Sequence, residues 1–576
     1  MKKTGAWLAV YALEQLGVRA TFGIPGVHNT ELYDELSNSR TVTPILVTHE
    51  GGASFMADGV SRADGGIGCL AIVPAAGFTH AASGIGEAFI DGVPMLILSG
   101  GIRTDTGHKY QLHEIDQLAL AKPLTKAAFR VESHDQVVPT IFEAYRIATS
   151  GLPGPVLVEL PANLQLFPGE AGPLPRWTPP EPPSAPTPAL ISAVADLLLD
   201  GRRVGLYVGW GARHATDEIA AIAERLHAPV ATSLQGLAAF PGDHPLHAGF
   251  GFSPSAVPAA RNAFAEIEVL LAVGTRFGEI PTGSFAAVVP PDLIHVDIDP
   301  RVFGANYPAK LALAGDSKVV LAALADELRR RNRSAPSNSV REQIARDKQA
   351  YRDEWLAHDS KDRVNPLRFF QELRRQMPDD CITVLDDGNH TFLTAELFPI
   401  HRGGRLLTPT DFNAMGYAVP ASIGAKLAQP EKEVFAIVGD GCFTMTCMEI
   451  LTAVSNRIGV VCFVFHDGEL AQIAQMQSIP YNRKTCTGLG RLDLAGIAKG
   501  VGAHYVEIKD HAELAAAIGE ARGVAAEGAP VIVDVRIDYS KRTAFTGGTA
   551  KSTFKRFPLS QRLRFAGRAL LRKVTG

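Results

Sequence analysis

The chain has 576 residues, 46% of them hydrophobic, and a formal net charge of −4. This length allows about three or four domains with sizeable cores. The nearly balanced charge excludes the global basic field that marks many nucleic-acid-binding proteins. The six cysteines form no CxxC pair and mostly lie in apolar runs, which favours a reducing compartment.

The N-terminal stretch MKKTGAWLAVYALEQLG has the basic start and apolar centre of a signal peptide. Glu14 and Gln15 interrupt the apolar run, however, and no small-residue cleavage site follows. The apolar side chains recur instead at the spacing of one helix face, namely Ala6, Val10, Leu13 and Leu16. No apolar stretch reaches the ~20 residues that a membrane-spanning helix needs. We therefore expect a cytoplasmic protein with neither a membrane nor nucleic acid as its partner.

Two segments unsuited to regular structure divide the chain. Residues 168–188, PGEAGPLPRWTPPEPPSAPTP, hold too many prolines for a helix or a central strand and predict an extended linker. The polar run at 329–339, RRRNRSAPSNS, predicts a second boundary. The predicted units are residues 1–167, 189–332 and 360–540, followed by a tail at 541–576.

Each unit alternates apolar strands with segments of helical length. The predicted strands are TPILVTHE, IGCLAIVPAAG and VPMLILSGG in the first unit, RRVGLYVGWG, EVLLAVGTRF and DLIHVDID in the second, and CITVLDDGN, EVFAIVGDG, VVCFVFHDG and PVIVDVRID in the third. Such runs, apolar on both faces, are typical of parallel sheets covered by helices on both sides. The sequence therefore predicts an α/β protein with three doubly wound parallel-sheet domains and a basic C-terminal tail.

Polar clusters follow several of these strands. In open parallel sheets, ligands bind outside the carboxyl ends of the strands. The clusters at such ends are His49-Glu50, Asp387-Gly388-Asn389-His390, Gly439-Asp440-Gly441 and His466-Asp467. Taken by itself, Glu50 ends a strand and begins a helix, so its simplest interpretation is a first-turn carboxylate that the helix dipole favours.

The Gly439-Asp440-Gly441 turn joins the strand VFAIV to the helix FTMTCMEILTAV. Its glycines permit a tight turn, and the free N–H groups of the new helix favour a phosphate. An aspartate there repels phosphate unless a hard cation such as Mg²⁺ lies between them. Asp467, 27 residues later, ends what is predicted to be the neighbouring strand, so one crossover brings it beside Asp440. A plain turn is the alternative, because most isolated triplets of this kind bind no metal.

The stretch GDGCFTMTCMEILTAVSNRIGVVCFVFHDGEL resembles the cofactor motif of thiamine diphosphate (ThDP)-dependent enzymes, in the group of acetolactate synthase, pyruvate decarboxylase and benzaldehyde lyase. The resemblance is acetolactate synthase-like and covers nearly the whole chain. The resemblance implies a pyrimidine-binding domain at 1–167, a middle domain at 189–332 and a diphosphate-binding domain at 360–540. The family motif ends in a pair of asparagines, for which His466-Asp467 stands here, and aspartate keeps an oxygen ligand for the metal.

The resemblance also implies the cofactor ligands. Asp440, Asp467 and the backbone carbonyl of Glu469 are expected to hold Mg²⁺. Met415, in DFNAMGYAVPASIGAKLAQP, corresponds to the apolar residue that supports the bent cofactor. The other implied cofactor-binding residues of this domain are Asn389, His390, Gly439, Gly441, Cys442 and Leu470.

Glu50 matches the glutamate that activates ThDP in this family by sharing a proton with the pyrimidine nitrogen N1′. The resemblance therefore makes it both a catalytic and a cofactor-binding residue. In the family, this glutamate and the metal ligands come from different subunits. A homodimer or homotetramer with active sites shared between subunits is therefore implied.

Three further catalytic residues are implied by position. His28 in GIPGVHNT and His113 in YQLHEIDQ correspond to positions that face the substrate, and Gln472 corresponds to a position above the thiazolium ring. The alternative for each histidine is a hydrogen-bonded surface residue, and for Gln472 an ordinary helix-surface residue.

Two positions depart from true acetohydroxyacid synthases. Ile280 stands where those enzymes carry an arginine that grips the 2-oxo acid carboxylate, so a bidentate contact is missing. Met476 stands where a tryptophan selects the larger acceptor there. In the middle domain, VGWGARH and HVDIDP are compatible with bound FAD or ADP, and a vestigial, empty nucleotide site is the alternative.

Three hypotheses about function follow. The first is a ThDP- and Mg²⁺-dependent 2-oxo acid decarboxylase or carboligase similar to acetolactate synthase. The second is a ThDP-dependent lyase of 2-hydroxy ketones or 2-hydroxyacyl-CoA. Its tail, with ten Lys or Arg and no Asp or Glu at 541–576, would then cover the CoA phosphates, although a solvated, frayed end is the simpler interpretation. The third is a catalytically silent subunit that serves assembly.

Overall fold

The computed structural model describes residues 1–331 and 339–575. It contains three six-stranded sheets whose neighbouring strands are all parallel, each flanked by helices. The predicted α/β class with three doubly wound parallel sheets is therefore confirmed. Of the predicted boundary at 329–339, residues 332–338 lie outside the described residues.

The N-terminal domain has the sheet order β3-β2-β4-β5-β7-β6. Its elements are β1 (Lys2–Thr4), α1 (Gly5–Gln15), β2 (Ala20–Gly23), α2 (Thr30–Asn38), β3 (Thr43–Leu46), α3 (Glu50–Arg62), β4 (Gly68–Ile72), α4 (Ala76–Asp91), β5 (Met95–Gly101), α5 (Gln117–Ala121), β6 (Ala127–Arg130), α6 (His134–Thr149), β7 (Pro155–Pro161), α7 (Ala162–Leu166) and β8 (Pro168–Glu170). Helix α1 buries Ala6, Val10 and Leu13, as its apolar spacing predicts.

The middle domain has the sheet order β11-β10-β9-β12-β13-β14. Its elements are α8 (Pro188–Leu198), β9 (Val204–Val208), α9 (Thr216–Leu226), β10 (Val230–Thr232), β11 (His247–Phe250), α10 (Pro258–Phe264), β12 (Val269–Val273), β13 (Asp292–Asp297), β14 (Leu311–Ala314) and α11 (Ser317–Arg330), with short 3-10 helices at Trp210–Ala212, Gln235–Ala238 and Pro300–Val302. Helix α12 (Val340–Leu356) follows and packs on α10.

The C-terminal domain has the sheet order β16-β15-β17-β18-β20-β19. Its elements are α13 (Pro366–Gln376), β15 (Ile382–Leu385), α14 (Asn389–Leu397), β16 (Arg405–Leu407), α15 (Ala418–Ala428), β17 (Val434–Gly439), α16 (Asp440–Thr446), α17 (Glu449–Ser455), β18 (Val461–Phe465), α18 (Ala471–Tyr481), α19 (Leu494–Val501), β19 (His504–Ile508), α20 (Leu514–Ala526) and β20 (Val531–Val535). The tail forms α21 (Ala544–Arg556) and α22 (Leu559–Thr575) rather than a frayed end.

The proline-rich segment at 168–188 is not entirely irregular. Its first three residues form β8, which pairs antiparallel with β1 so that Thr4 lies opposite Pro168. A two-stranded edge tolerates proline because the missing N–H faces away from the partner strand. Residues 171–187 contain neither helix nor strand, and α8 begins at Pro188, where proline fits the first helical turn.

Helices α3 and α15 fasten the N-terminal and C-terminal domains together. One buried apolar cluster includes Met56 and Ile97 from the first domain and Ile423 and Val438 from the second. A Cβ atom at Gly424 would lie 2.0 Å from the carbonyl oxygen of Met56, so only glycine allows this approach of the two helices. The first and third sheets of one chain therefore form a single packed unit.

A buried ionic network reinforces the same junction. Arg62 Nε lies 2.6 Å from Asp58, and its Nη2 lies 3.0 Å from Asp91. The hydroxyl of Tyr417 donates to Asp58 at 2.5 Å. Glu87 accepts the backbone N–H of Ala414 at 3.1 Å. The network thereby fixes the segment that leads into α15.

No helix within the described ranges is long and apolar enough to cross a membrane.

Candidate functional site

The Asp440 carboxylate joins the ends of two neighbouring strands, β17 and β18. Its Oδ1 accepts the backbone N–H of Gly441 at 2.8 Å. Its Oδ2 accepts the backbone N–H groups of Gly468 at 2.7 Å and Asp467 at 3.2 Å. The side chain is buried, and the loss of solvation raises its pKa above the usual value. The turn after β17 and the turn after β18 therefore share one carboxylate.

Asp467 lies beside Asp440 at the end of β18. Its Oδ1 is buried and has no hydrogen-bond partner among the described residues. Burial, followed by the nearby charge of Asp440, raises the pKa of Asp467 to about 7. A buried carboxylate beside a half-buried one with an unpartnered oxygen is the donor set that a hard divalent cation takes.

The flanking residues point in different directions. The Glu469 side chain accepts from Lys484 Nζ at 2.6 Å and from the Thr487 hydroxyl at 3.0 Å, which leaves its backbone carbonyl as the group to offer a metal. His466 is paired through Nδ1 with Asp534 at 3.0 Å. That hydrogen bond raises the pKa of His466. His466 thus supports the sheet edge, while Asp467 faces the site.

One cavity of about 100 Å³ gathers the predicted residues of the C-terminal domain. Its lining includes all eleven of them: Asn389, His390, Met415, Gly439, Asp440, Gly441, Cys442, Asp467, Glu469, Leu470 and Gln472. The first residues of α14 and α16, Asn389 and Asp440, line the cavity, so both helices begin at it. Helix N-termini of this kind attract phosphate.

His390 borders the cavity as a neutral ring. Burial lowers its pKa to about 3, because charging an imidazole without water is costly. Its Nε2 is buried and has no hydrogen-bond partner among the described residues. A Cβ atom at Gly439 would lie 3.1 Å from this ring. The ring therefore packs on the start of the turn with one nitrogen still open to a ligand.

Sequence reasoning missed Asp386, which positions Met415. The Asp386 carboxylate is fully buried and accepts the backbone N–H groups of Gly416 at 2.8 Å and Ala418 at 2.7 Å. It therefore fixes the loop on both sides of the Met415 backbone. The Asp386-Asp387 doublet at a strand end was the available signal. Tyr539, which also lines the cavity, follows β20 without any motif that marks it.

These residues fit ThDP and Mg²⁺. The Asp467 oxygen without a partner, the second buried carboxylate and a free carbonyl suit the metal. The helix N-termini and the open nitrogen of His390 suit a diphosphate. An apolar side chain, Met415, lies at the same cavity and suits the organic part of the cofactor.

Glu50 lies at the N-terminus of α3 and is only 6% exposed. Its Oε2 is 3.0 Å from Nδ1 of His80, a residue of α4 that sequence reasoning did not single out. The His80 ring stacks on His49 at 4.7 Å, and His49 in turn accepts the backbone N–H of Gly51. Glu50 is therefore held through one of its two carboxylate oxygens.

His28 and His113 form a second group in the N-terminal domain. Their ring centroids are 5.1 Å apart in an edge-to-face arrangement. His113 has a left-handed backbone with φ 66°, and its Nδ1 lies 3.0 Å from the carbonyl oxygen of Pro74. Burial, with a smaller effect of His113, lowers the pKa of His28. Neither histidine is fully solvated, and both border the turn that leads to α4.

The two groups do not meet within one chain. The lining of the Asp440 cavity includes no residue before Asp387. Glu50, His28 and His113 therefore lie outside it, while the remaining predicted residues lie inside. The separation agrees with the arrangement that the resemblance implies, in which the glutamate and the metal ligands of one active site belong to different subunits.

A second cavity, of about 330 Å³, lies at the carboxyl ends of β9, β12 and β13 of the middle domain, and residues of the other two domains, such as Gly92 and Thr410, also line it. It is lined by Gly211, Gly274, Asp297 and Asp316, among others. Arg276 also lines it but is paired with Asp411 of the C-terminal domain. Burial raises the pKa of Asp297 to about 6.

Ile280 and Met476, the two positions that depart from acetohydroxyacid synthases, lie in different parts of the structure. Ile280 packs against the core of the C-terminal domain. Met476 is on α18 and is 53% exposed.

Comparisons with known proteins place all three domains of the chain in the same enzyme family. Residues 3–120 match the family model "Thiamine pyrophosphate enzyme, N-terminal TPP binding domain", residues 191–324 the corresponding central domain, and residues 386–535 the C-terminal TPP binding domain. The chain is 30% identical to the acetolactate synthase large subunit of Corynebacterium glutamicum, over 92% of this chain and 86% of that protein. It is 28% identical to the acetolactate synthase isozyme 3 large subunit of Escherichia coli, over 93% and 95%. It is 31% identical to the acetolactate synthase large subunit IlvB1 of Mycobacterium tuberculosis, over 92% and 85%.

Proposed function

The chain belongs to the thiamine pyrophosphate enzyme family, as its motifs predict, and we propose that it is a ThDP- and Mg²⁺-dependent decarboxylase and carboligase of 2-oxo acids, similar to acetolactate synthase. The proposal rests on one observation above the others. The buried carboxylate of Asp440 and the half-buried carboxylate of Asp467 meet at the ends of adjacent strands, and Asp467 has an oxygen without a partner among the described residues. The chain is also similar, over nearly its whole length, to relatives named acetolactate synthase, which supports the same reaction class.

The roles of the C-terminal domain follow from its donors. Asp440, Asp467 and the carbonyl of Glu469 hold the metal. Asn389 and His390, with the N–H groups of α14 and α16, hold the diphosphate, while Met415 supports the ring system. When bound, ThDP supplies a nucleophilic carbon and an electron sink for breaking or forming a C–C bond next to a carbonyl.

The roles of the N-terminal domain concern protons. Glu50 is 6% exposed and takes the role of exchanging a proton with a ring nitrogen of the cofactor. His80 fixes the carboxylate through one oxygen, at 3.0 Å. His28 and His113 face the substrate from the same domain, and Gln472 faces it from the other.

A second copy of the chain completes this site, as a homodimer or a homotetramer. The Asp440 cavity lacks Glu50 from its own chain. Large apolar side chains are exposed around both halves of the site, where a second subunit would cover them. They are Val27, Tyr110, Leu112 and Ile115 in the N-terminal domain, and Met445, Met448 and Leu451 after Asp440.

A ThDP-dependent lyase of 2-hydroxy ketones or 2-hydroxyacyl-CoA is the second candidate. Ile280 offers no cation for a 2-oxo acid carboxylate. The basic tail, in contrast, packs on α18, the helix that carries Gln472, with the Arg568 guanidinium 4.4 Å from the ring of Tyr481 at the other end of that helix. The retained pair of metal-binding carboxylates and Glu50 argue against a catalytically silent assembly subunit.

Two further assignments are part of the proposal. The middle-domain cavity lies at the strand ends where nucleotides bind in such sheets, which supports FAD or ADP there, with a vestigial site as the alternative. The described cysteines are all free, which supports a reducing compartment such as the cytoplasm.

The experiment is a substrate screen of the purified protein with ThDP and Mg²⁺. Candidate 2-oxo acids, acyloins and 2-hydroxyacyl-CoAs are compared, with Asp440→Ala as the control. We expect CO₂ release from a 2-oxo acid that requires both cofactors and is lost in the variant. Turnover of acyloins or 2-hydroxyacyl-CoAs alone would favour the lyase. Turnover that persists without ThDP would overturn both.

A further inference from the structure

A third cavity lies where the middle and C-terminal domains meet. Its volume is about 60 Å³, and its lining comes from β11, the start of α10, helix α12 and the end of α14. It shares no lining residue with the Asp440 cavity. Because a single water needs about 10–15 Å³ of such space, this cavity has room for a molecule of about four to six heavy atoms. We call it the junction cavity.

Three basic side chains line the junction cavity. Lys348 and Arg352 lie one turn apart on α12, and His247 is the first residue of β11. Among the described residues, the Lys348 ammonium hydrogen-bonds to two groups, neither of them a carboxylate: the carbonyl oxygen of Gly242 at 3.4 Å and Nδ1 of His247 at 3.3 Å. Arg352 is exposed and has no ion pair in the same part of the chain. Two cations therefore border one cavity without a carboxylate bonded to either.

The hydrogen bond from Lys348 determines the tautomer of His247. An ammonium group only donates, so Nδ1 is the accepting nitrogen and the proton of a neutral ring lies on Nε2. The ring is neutral because burial lowers the pKa of His247 well below its usual value. Nε2 is buried and has no hydrogen-bond partner among the described residues. The lining of the cavity therefore includes a buried N–H donor beside an ammonium group.

The one carboxylate in the described lining of the junction cavity, Glu396, is already occupied. It accepts the Tyr351 hydroxyl at 2.5 Å. It also accepts the first two backbone N–H groups of α21, at 3.0 Å and 2.8 Å. Asp243 is exposed, does not line the cavity and affects Lys348 only at longer range. Neither carboxylate therefore serves as a bonded counter-ion for Lys348.

The Lys348 amine responds to this surplus of positive charge. Burial, followed by the charge of Arg352, lowers the pKa of Lys348 to about 8. A buried cation is costly unless an anion pairs with it. An anion in the junction cavity would therefore raise the pKa of Lys348 back toward its ordinary value.

We propose that the junction cavity binds a small organic anion, a carboxylate of two or three carbons. Its two oxygens match the Lys348 ammonium and the His247 N–H, and the exposed Arg352 adds a second positive charge. A short carbon chain fits the rest of the lining, which is largely apolar and includes Leu237, Phe250, Val257, Leu397 and Phe398. A phosphate would bring four oxygens against these walls, and an oxygen buried there without a donor is unfavourable.

The test uses Lys348 as the reporter, in the full-length protein with ThDP and Mg²⁺ and again without them. Brief reductive methylation with formaldehyde, read by peptide mass spectrometry, measures how much of each lysine is present as the free amine. We expect saturating propionate to slow methylation of Lys348 at least about threefold, because the bound anion keeps the amine protonated. The exposed Lys499 is the internal reference and should not respond. The protection should be equal with and without the cofactors, since the site does not depend on the proposed function.

Two other solutes define the chemistry of the ligand. Propionamide has nearly the same shape as propionate without its charge and should protect Lys348 little. Equal protection by propionamide, or no protection by propionate, would overturn the proposal. Stronger protection by inorganic phosphate than by propionate would overturn the assignment to a carboxylate.

Variants of the lining locate the effect. Arg352→Gln removes one cation and should raise the propionate concentration that gives half protection at least about fivefold. The matched control is Arg346→Gln, which removes an exposed cation of the same helix outside the lining and should behave as wild type does. His247→Phe removes the N–H donor and should also weaken protection, and if this buried variant does not fold, Arg352→Gln decides the outcome. Equal behaviour of the two arginine variants would contradict the proposal.

Discussion

The Glu449 carboxylate, in the C-terminal domain, accepts the backbone N–H of His49, in the N-terminal domain, at 3.0 Å. It also accepts the N–H of Thr48 at 3.2 Å. A Cβ atom at Gly52 would lie 2.2 Å from the same carboxylate, so the helix that begins at Glu50 leaves room for it only because of that glycine. The side chain that fixes the backbone just before the proposed activating glutamate thus comes from the other cofactor-binding domain of the same chain.

The first prediction concerns Glu449→Ala. The change removes the acceptor of two partly buried backbone N–H groups, which costs about 0.5–1.5 kcal/mol for each hydrogen bond. It also frees the start of α3, and displacement of a catalytic group by about 1 Å costs up to ~100-fold in rate. We expect a lower unfolding temperature together with slower turnover. Glu449→Gln keeps one acceptor oxygen and should lie between wild type and Glu449→Ala in both measurements.

The second prediction concerns His80, which acts on the reaction through Glu50. His80→Ala removes the hydrogen bond to Oε2, so we expect proton exchange at the reactive carbon of bound ThDP to slow by about tenfold. His80→Gln retains a donor and should recover most of the rate. ThDP affinity, measured by calorimetry, should change little in either variant. The exposed His108 supplies the control, and an effect of His108→Ala equal to that of His80→Ala would contradict the role of His80.

The third prediction concerns the metal ligand Asp467. Asp467→Asn keeps an oxygen donor and should retain Mg²⁺-dependent binding of ThDP, whereas Asp467→Ala should weaken that binding by at least about tenfold. Dialysis against EDTA should remove ThDP from the wild type, and added Mg²⁺ should restore it. Calorimetric titration of ThDP with and without Mg²⁺ gives the answer. Equal affinity of the wild type with and without the metal would remove Asp467 from the metal site.

The fourth prediction is a pH dependence of stability. Burial raises the pKa of Glu396 to about 7, above its value in the unfolded chain. The folded state therefore holds a proton that the unfolded state releases between the two values. The stabilisation is complete below about pH 4.5 and is lost as pH rises toward 7. We expect the unfolding temperature of wild type to fall more between pH 5 and pH 8 than that of Glu396→Gln, whose side chain does not titrate.

An unchanged difference between wild type and Glu396→Gln across this pH range would show that Glu396 does not titrate there. Because Glu396 accepts from the start of α21, the same variant also tests whether the tail stays attached. Limited proteolysis at each pH should cut the tail more readily where Glu396 is ionised.

The sequence was sufficient for features whose causes are local. The apolar runs around Val434–Gly439 and Val461–Phe465 specify buried parallel strands, and the spacing from Asp440 to Asp467 specifies their adjacency. Asp440 and Asp467 could be predicted because their turns follow these strands directly, whereas Met415, Cys442 and Leu470 were implied by the family resemblance.

Contacts between distant parts of the chain were not predictable in this way. Glu449 and Thr48 are 401 residues apart in sequence, and nothing local to either residue marks the contact. His466 turns to Asp534 rather than to the cofactor cavity, a choice made by the neighbouring strand β20. The tail was expected to be a frayed end or a lid, yet its helical form depends on Glu396 and Tyr481, far from it in sequence.

The central claim is that one active site takes Glu50 from one subunit and Asp440 from the other. Mixing Glu50→Gln with Asp440→Ala, each inactive alone, tests it directly after subunit exchange. In a mixed dimer, one of the two sites then has both wild-type residues. Random pairing should restore about a quarter of wild-type activity. No recovery in a mixture that demonstrably contains the mixed dimer would contradict the claim.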